Sequence, residues 1–237
     1  MMVGLRPFFS YYGGKWRDAV KYYPPPEHDH IVEPFAGSAG YALRHFDRRI
    51  TLCEVDPQIY EVWKYLIRVK HFEVLALPDL ADGQTTDDLD IIPPEARWLI
   101  GLWLNKGASS PRKSPSKWMR SGIRPGCFWG PRVRSTIACQ VERIRHWRIL
   151  RCDYTESPPI RATWFVDPPY QNAGSHYRFG SSKIDYAALA LWCRGLQGQA
   201  IVCENDGATW LPFRPLASVK TSRAASRSAE AIWTRSS

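Results

Sequence analysis

The stretch TWFVDPPYQNAG, Thr163 to Gly174, runs an apolar segment directly into an acid, two prolines and a tyrosine. Pro168 and Pro169 carry no amide donor, so strand pairing has to stop there. Asp167 and Tyr170 are then left at the carboxyl end of a strand, the edge of an open α/β sheet where ligands bind. Taken alone, the tetrapeptide is equally a strand end with a proline turn, in which Asp167 caps a backbone amide.

Three further stretches bear on that choice. VEPFAGSAG, Val32–Gly40, places an acid and a glycine turn after a strand, where a ligand can approach backbone amides closely. Gly-rich βα turns are common in any setting. CEVDP puts Glu54 at the end of the next strand, about twenty residues after Glu33, an offset that suits hydrogen bonds from ribose hydroxyls. An ordinary strand-end acid has the same look. YYGGKW, Tyr11–Trp16, is a turn carrying one Lys between aromatic rings.

The elements that must position these residues follow from periodicity. Strands are expected at His30–Pro34, Ile50–Val55, Arg148–Cys152, 163–166, 200–203, Ser218–Thr221 and Glu230–Thr234. Helices are expected from about Tyr41, over Gln58–Val69, Glu95–Leu104 and Ser135–Trp147, and from Asp185 to Arg194. Residues 78–94 form an acidic, proline-bounded loop. The stretch GASSPRKSPSKWMRSGIRPG is too polar and broken for regular structure and reads as a mobile loop. Alternating strands and helices predict βαβ units and a doubly wound, mainly parallel sheet, with the last two strands as an antiparallel edge pair.

Composition bounds the partners. The 237 residues suffice for one large domain with a substantial core. No apolar run approaches the roughly 18 residues of a membrane span, and the N-terminus lacks the pattern of a signal peptide. The six cysteines form no CxxC pair, which argues against zinc and for a reduced, cytoplasmic protein. His28-Asp29-His30 follows YYPPPE and reads as a polar loop rather than a metal cluster. The net charge of +9 is uneven: Arg97–Arg151 holds thirteen Arg or Lys and one acid, Glu142. A block of one sign suggests a polyanionic partner. Trp98, Trp103, Trp118, Phe128, Trp129 and Trp147 are interleaved with it, and any exposed ring among them can stack on bases.

In the order YYGGK, VEPFAGSAG, CEVD, basic segment, DPPY, the chain resembles the Dam-type DNA adenine-N6 methyltransferases from Tyr11 to about Asp206. The resemblance implies the class I methyltransferase fold, with S-adenosylmethionine (SAM) as methyl donor and no metal. It places Tyr11 and Lys15 against SAM, matches Glu33, Phe35 and Gly37 to the glycine motif, and makes Glu54 the ribose acid. Asp153 and Tyr154 fall near the SAM adenine, and Asp167, Pro168, Pro169 and Tyr170 match the catalytic DPPY, with Asp167 also bordering SAM. Residues 1–70 and 148–237 would form the catalytic domain and 71–147 an inserted target-recognition segment. In that segment Lys106, Arg112, Lys113, Lys117, Arg120 and Arg124 would contact double-stranded DNA as phosphate and base contacts.

Two residues depart from the motifs: the second glycine is displaced in Gly37-Ser38-Ala39-Gly40, and the ribose acid is Glu where Asp is usual. The expected activity is methylation of a flipped-out adenine by a monomer, or a transient dimer on DNA, as in a stand-alone or phage-encoded methylase with or without a restriction partner. Asp167 and a Pro-Pro carbonyl would accept both amino hydrogens and free the nitrogen lone pair, while Tyr170 stacks on the base. The rival readings are cytosine N4, an RNA base or a protein amide nitrogen as acceptor, and a SAM-binding, catalytically silent DNA-binding protein.

Overall fold

A computed structural model describes residues 4–122, 126–220 and 227–236. Seven strands form one sheet: β1 (His30–Glu33), β2 (Arg49–Cys53), β3 (Arg148–Leu150), β4 (Ala162–Val166), β5 (Gly198–Asn205), β6 (Arg214–Lys220) and β7 (Arg227–Arg235). Their spatial order is β3-β2-β1-β4-β5-β7-β6. The first five are parallel, and β7 enters antiparallel between β5 and β6. This is a Rossmann-like, doubly wound α/β sheet. Strand order reverses between β1 and β4, so the ligand crevice belongs beyond the carboxyl ends of those two strands. Glu33 ends β1 and Asp167 follows β4.

Burial on both faces explains the apolar runs. All five residues of β4, ATWFV, are buried, as expected for a central parallel strand. Side chains alternate between faces: Phe165 joins one apolar cluster with Ile31, Leu52 and Trp63, while Trp164 and Val166 join a second with Val32 and Leu189. The helices are α1 (Ala19–Tyr22), α2 (Pro57–Arg68), α3 (His71–Leu75), α4 (Pro94–Trp103), α5 (Lys117–Arg120), α6 (Pro131–Ala138) and α7 (Tyr186–Gly195). α2 covers the first face through Ile59, Val62, Trp63 and Leu66, and α7 the second through Leu189, Ala190 and Cys193. Apolar residues of 71–147, among them Val74, Leu99, Ile100, Val133 and Ile137, share the first cluster.

Several expected elements differ. The helix from Tyr41 is a single 3-10 turn, Ala42–His45, in the eight residues between Gly40 and β2. The helix over Ser135–Trp147 breaks after Ala138 and resumes as the 3-10 turn Val141–Ile144. The break lies at Gln140, whose side chain accepts from the Arg6 amide (3.0 Å) and donates to the Arg6 carbonyl (2.8 Å). The stretch expected to be a structureless loop contains α5, capped where the Ser116 hydroxyl accepts from the Met119 amide. It is also pinned to its neighbours, Arg112 N–H donating to Gly101 O, Ser116 N–H to Leu104 O, and Thr86 N–H to Lys113 O. A Cβ at Gly101 would sit 2.6 Å from the Arg112 carbonyl, so only glycine admits that contact. Arg124, and Thr221 at the end of an expected strand, lie outside the described residues.

Candidate active site

The glycine turn after β1 is held from three directions. Glu33 Oε1 accepts from the Ala42 amide at 2.6 Å, Glu54 Oε2 accepts from the Gly37 amide at 3.0 Å, and Trp63 of α2 donates its indole N–H to the Gly37 carbonyl at 2.8 Å. Gly37 has φ +44°, a left-handed conformation that favours glycine. Ala39, where the resembled motif has its second glycine, also lies there, at φ +51°. Gly40 takes a different task. A Cβ on it would lie 2.6 Å from the Trp16 amide, so its bareness seats the YYGGKW turn on the sheet edge.

Glu54 is therefore more than a strand-end acceptor. Its second oxygen takes the Asp56 amide at 2.9 Å, and burial pushes its carboxyl up to about 7 against the pull of the Asp56 and Gly37 amides. Glu33 is pushed up to about 8 by burial, the Ala42 amide again opposing. Asp56 caps α2 by accepting from Gln58 N–H at 2.8 Å and lies 4.0 Å from Arg178.

These residues line a cavity of about 380 Å³, with Tyr11, Phe35, Asp153, Tyr154 and Asp167 around it. Phe35 and Tyr154 stack at 5.4 Å and 27°. Asp153 spends Oδ1 on capping the turn that carries Tyr154, accepting from the Thr155 amide and hydroxyl. The crevice thus joins stacked rings, acids and a glycine turn, a set that suits an adenosine ligand bearing ribose hydroxyls.

A second cavity of about 500 Å³ lies on the other side of Asp167 and is lined by Pro168, Tyr170, Lys106, Arg132 and Glu230. The two cavities share Tyr11, Tyr12, Lys15, Ser38, Asp167 and Tyr177 as their common wall. That wall is a charge cluster. Lys15 Nζ lies 3.3 Å from Asp167 Oδ1 and 3.7 Å from Glu230 Oε2, 4.6 Å above the Tyr170 ring, and donates to the Gly13 carbonyl. Burial acts to strip its proton, yet Asp167 and Glu230 together hold its pKa above the ordinary value. For Asp167, burial pushes the carboxyl up to about 6, with Lys15 pulling it back. Its buried Oδ1 faces the Lys15 ammonium in that ion pair, without the geometry of a full hydrogen bond. Only 20% of the Asp167 side chain is exposed, because the YYGGKW turn covers it.

Of the two proline carbonyls, that of Pro169 already accepts from the Tyr186 hydroxyl at 2.5 Å. Among the described residues no group hydrogen-bonds the Pro168 carbonyl. Tyr170 donates its hydroxyl to Glu230 Oε2 at 2.5 Å. The loop after it folds back over the YYGGKW turn: Tyr177 donates to the Tyr12 carbonyl at 3.0 Å, and its ring lies 6.0 Å from that of Tyr11. Buried Glu204 anchors that loop by accepting from the Gln171 amide.

The basic segment is partly spent within the fold. Lys113 pairs with Asp87 of the acidic 78–94 loop at 2.7 Å. Arg134 pairs with Asp79, Arg145 donates to the Ile67 and Val69 carbonyls, and Arg143 stacks on Phe46. Arg112, Lys117 and Arg120 are exposed but do not line the second cavity. Lys106 lines it, 5.9 Å above the Phe128 ring. Lys117 lies over Trp118, which is 59% exposed, whereas Phe128, Trp129 and Trp147 are core. Sequence reasoning missed Asp56, Arg132, Tyr177 and Glu230. Asp56 had a local signal, as the helix cap in VDP, and Arg132 lay within the basic block. Among the described residues no His, Cys, Asp and Glu group is arranged to hold a metal, and no helix is long and apolar enough to cross a membrane.

The chain matches no family model and no curated protein. Among solved structures, it is similar to a conserved hypothetical protein of Streptococcus pyogenes at 10% identity and TM-score 0.39, covering 90% of this chain and 86% of that one. It is also similar to the rRNA methyltransferase AviRa of Streptomyces viridochromogenes at 16% identity and TM-score 0.40, covering 92% and 80%. At these scores neither likeness adds to the topology read from the strand pairing.

Proposed function

We propose that the protein is a SAM-dependent methyltransferase acting on the N6 amino group of adenine in duplex DNA, with the target base turned out of the helix. The observation that carries this reading is the meeting of two cavities at one carboxylate: an aromatic, acidic crevice at the β1/β4 switch point and a second chamber lined by Lys106 and Arg132. The first chamber fits SAM. Glu54 and Asp56 are placed for ribose hydroxyls, Phe35 and Tyr154 for the adenine ring, and Asp167 and Lys15 border the reacting end. SAM supplies an electrophilic sulfonium methyl, whose S–C electron pair returns to sulfur as the methyl leaves.

The chain's own residues then have a defined task. Adenine N6 is a poor nucleophile because its lone pair is delocalised into the ring. Asp167 and the Pro168 carbonyl, each accepting one amino hydrogen, pull the nitrogen toward a pyramidal form with the lone pair directed at the methyl. As the N–C bond forms, one amino proton leaves to the Asp167 carboxylate. Catalysis is then positioning plus preorganised charge, with no covalent bond to the protein. Reaching N6 inside a duplex is sterically impossible, which is why the base must be extruded. Cationic Lys106 and Arg132 beside the second chamber suit the phosphates flanking such a base.

The test is transfer of label from methyl-labelled SAM into a mixture of duplex DNA, single-stranded RNA and carrier protein. Label is expected in the duplex. Label confined to RNA or protein, or none at all, would overturn the reading.

A further inference from the structure

Glu230 lies far from every motif yet ends inside the charge cluster. The reason is topological. An antiparallel strand brings its own beginning to the edge where parallel strands end, and β7 pairs Glu230 with Asn205 at the carboxyl end of β5. From there the carboxylate reaches the cluster, is only 6% exposed, and accepts the Tyr170 hydroxyl at 2.5 Å while standing 3.7 Å from Lys15.

We infer that Glu230 is a positioning residue for methyl transfer, fixing Tyr170 and dividing the Lys15 charge so that Asp167 keeps an oxygen for the substrate amino group. The inference rests on the function proposed for this site. Two carboxylates face one ammonium across a cluster too buried for counter-ions to balance. With Glu230 present, Lys15 is shared between two acids and stands off Asp167 Oδ1 at 3.3 Å, an ion pair rather than a close hydrogen bond. With Glu230 neutral, Lys15 would belong to Asp167 alone, occupying the acceptor oxygen and holding the carboxylate ionised to lower pH. The groups acting on Asp167 agree with that direction: Lys15 and Tyr170 lower its pKa, while burial and Glu230 raise it. Asp18 in the turn before α1, Glu33 on β1, Cys203 on β5, Tyr23 and Tyr177 share the same field. The Tyr170 ring, tethered through its hydroxyl, would also lose its fixed plane without an acceptor.

The experiment measures single-turnover methylation of a duplex oligonucleotide against pH for the wild type, Glu230→Gln and Glu230→Asp, with SAM affinity and thermal unfolding recorded for each. Glu230→Gln keeps an acceptor for Tyr170 but removes the charge. It is expected to unfold as the wild type does and bind SAM within about threefold of it. Its maximal rate should fall about 10- to 100-fold, the scale of a misplaced reacting group, and its acidic limb should move to lower pH. Glu230→Asp should restore much of the rate. A wild-type rate and limb in Glu230→Gln, with the parent active, would overturn this inference and leave the proposed function standing. So would a loss accompanied by lost SAM binding or a lowered melting temperature and not eased by Glu230→Asp, since that marks a merely structural acid. A parent inactive on every nucleic acid tried would overturn the proposed function itself, and this inference with it.

Discussion

Asp167 combines burial with a cationic neighbour, and its chemistry follows from that balance. Burial raises the carboxyl to about 6, so the ionised acceptor is present above that pH and lost below it. The rate of methyl transfer should therefore fall about tenfold per pH unit below pH 6, as a single essential group protonates. Asp167→Asn, which keeps the shape, should lower the rate at pH 7.5 by at least about 10²-fold, the usual cost of one preorganised electrostatic group. A pH-independent rate between 5 and 7 would contradict this role. Glu54 bears on binding rather than chemistry. Glu54→Ala removes both the proposed ribose acceptor and the tie to the Gly37 amide, and calorimetry should show SAM binding weakened by about 1–3 kcal/mol. Unchanged affinity would reduce Glu54 to the strand-end acid that its sequence equally allows.

At the glycine turn between β1 and the 3-10 turn, Ala39 and Glu33 each carry a physical consequence. Ala39 adopts φ +51°, which costs an L-residue about 1–2 kcal/mol. Ala39→Gly should release that strain while losing roughly 0.8 kcal/mol of methyl burial and about 0.4–1 kcal/mol to unfolded-chain entropy, leaving stability nearly unchanged. Destabilisation beyond about 2 kcal/mol in urea titrations would contradict the strain. Glu33 ties β1 to that turn from a buried position, its carboxyl raised from an ordinary 4.5 to about 8. The native state then holds a proton that the unfolded chain has given up, so this group's stabilisation is full below about pH 4.5 and is lost as pH rises through 8. Glu33→Gln should flatten the fall in stability between those limits, checked by denaturant melts at pH 5 and 8.

The same elements show what the sequence can carry. The strands around Glu33, Glu54 and Asp167 were legible because each is a buried apolar run that ends on a charged residue. The helix after Gly40 was not, since so few apolar residues do not separate a 3-10 turn from an α-helical one. Nor was the break at Gln140, which depends on the backbone of Arg6, 134 residues away in sequence. Glu230 was hidden for the same reason. It meets Tyr170 across 60 residues through an antiparallel register that no local spacing encodes.

On the scale of the whole molecule, a net charge of +9 suggests a polyanion, but only placement tells which cations face it. Lys113 and Arg134 are paired with acids of the 78–94 loop, while Lys106 and Arg132 border the second cavity. Each phosphate contact contributes about −0.9 to the log–log dependence of DNA affinity on salt. The double variant Lys106→Ala, Arg132→Ala should flatten that slope by about two units and weaken all duplexes alike. Lys113→Ala should change it by less than one, because Asp87 already neutralises the charge. Equal slopes in all three proteins would place the DNA contact elsewhere.

The most direct measurement is nucleoside mass spectrometry of duplex DNA incubated with SAM and either the wild-type protein or Asp167→Asn. N6-methyladenine should appear with the wild type and fall by at least about 10²-fold with the variant. N4-methylcytosine as the product, no methylated nucleoside at all, or N6-methyladenine formed equally by both proteins would contradict the account.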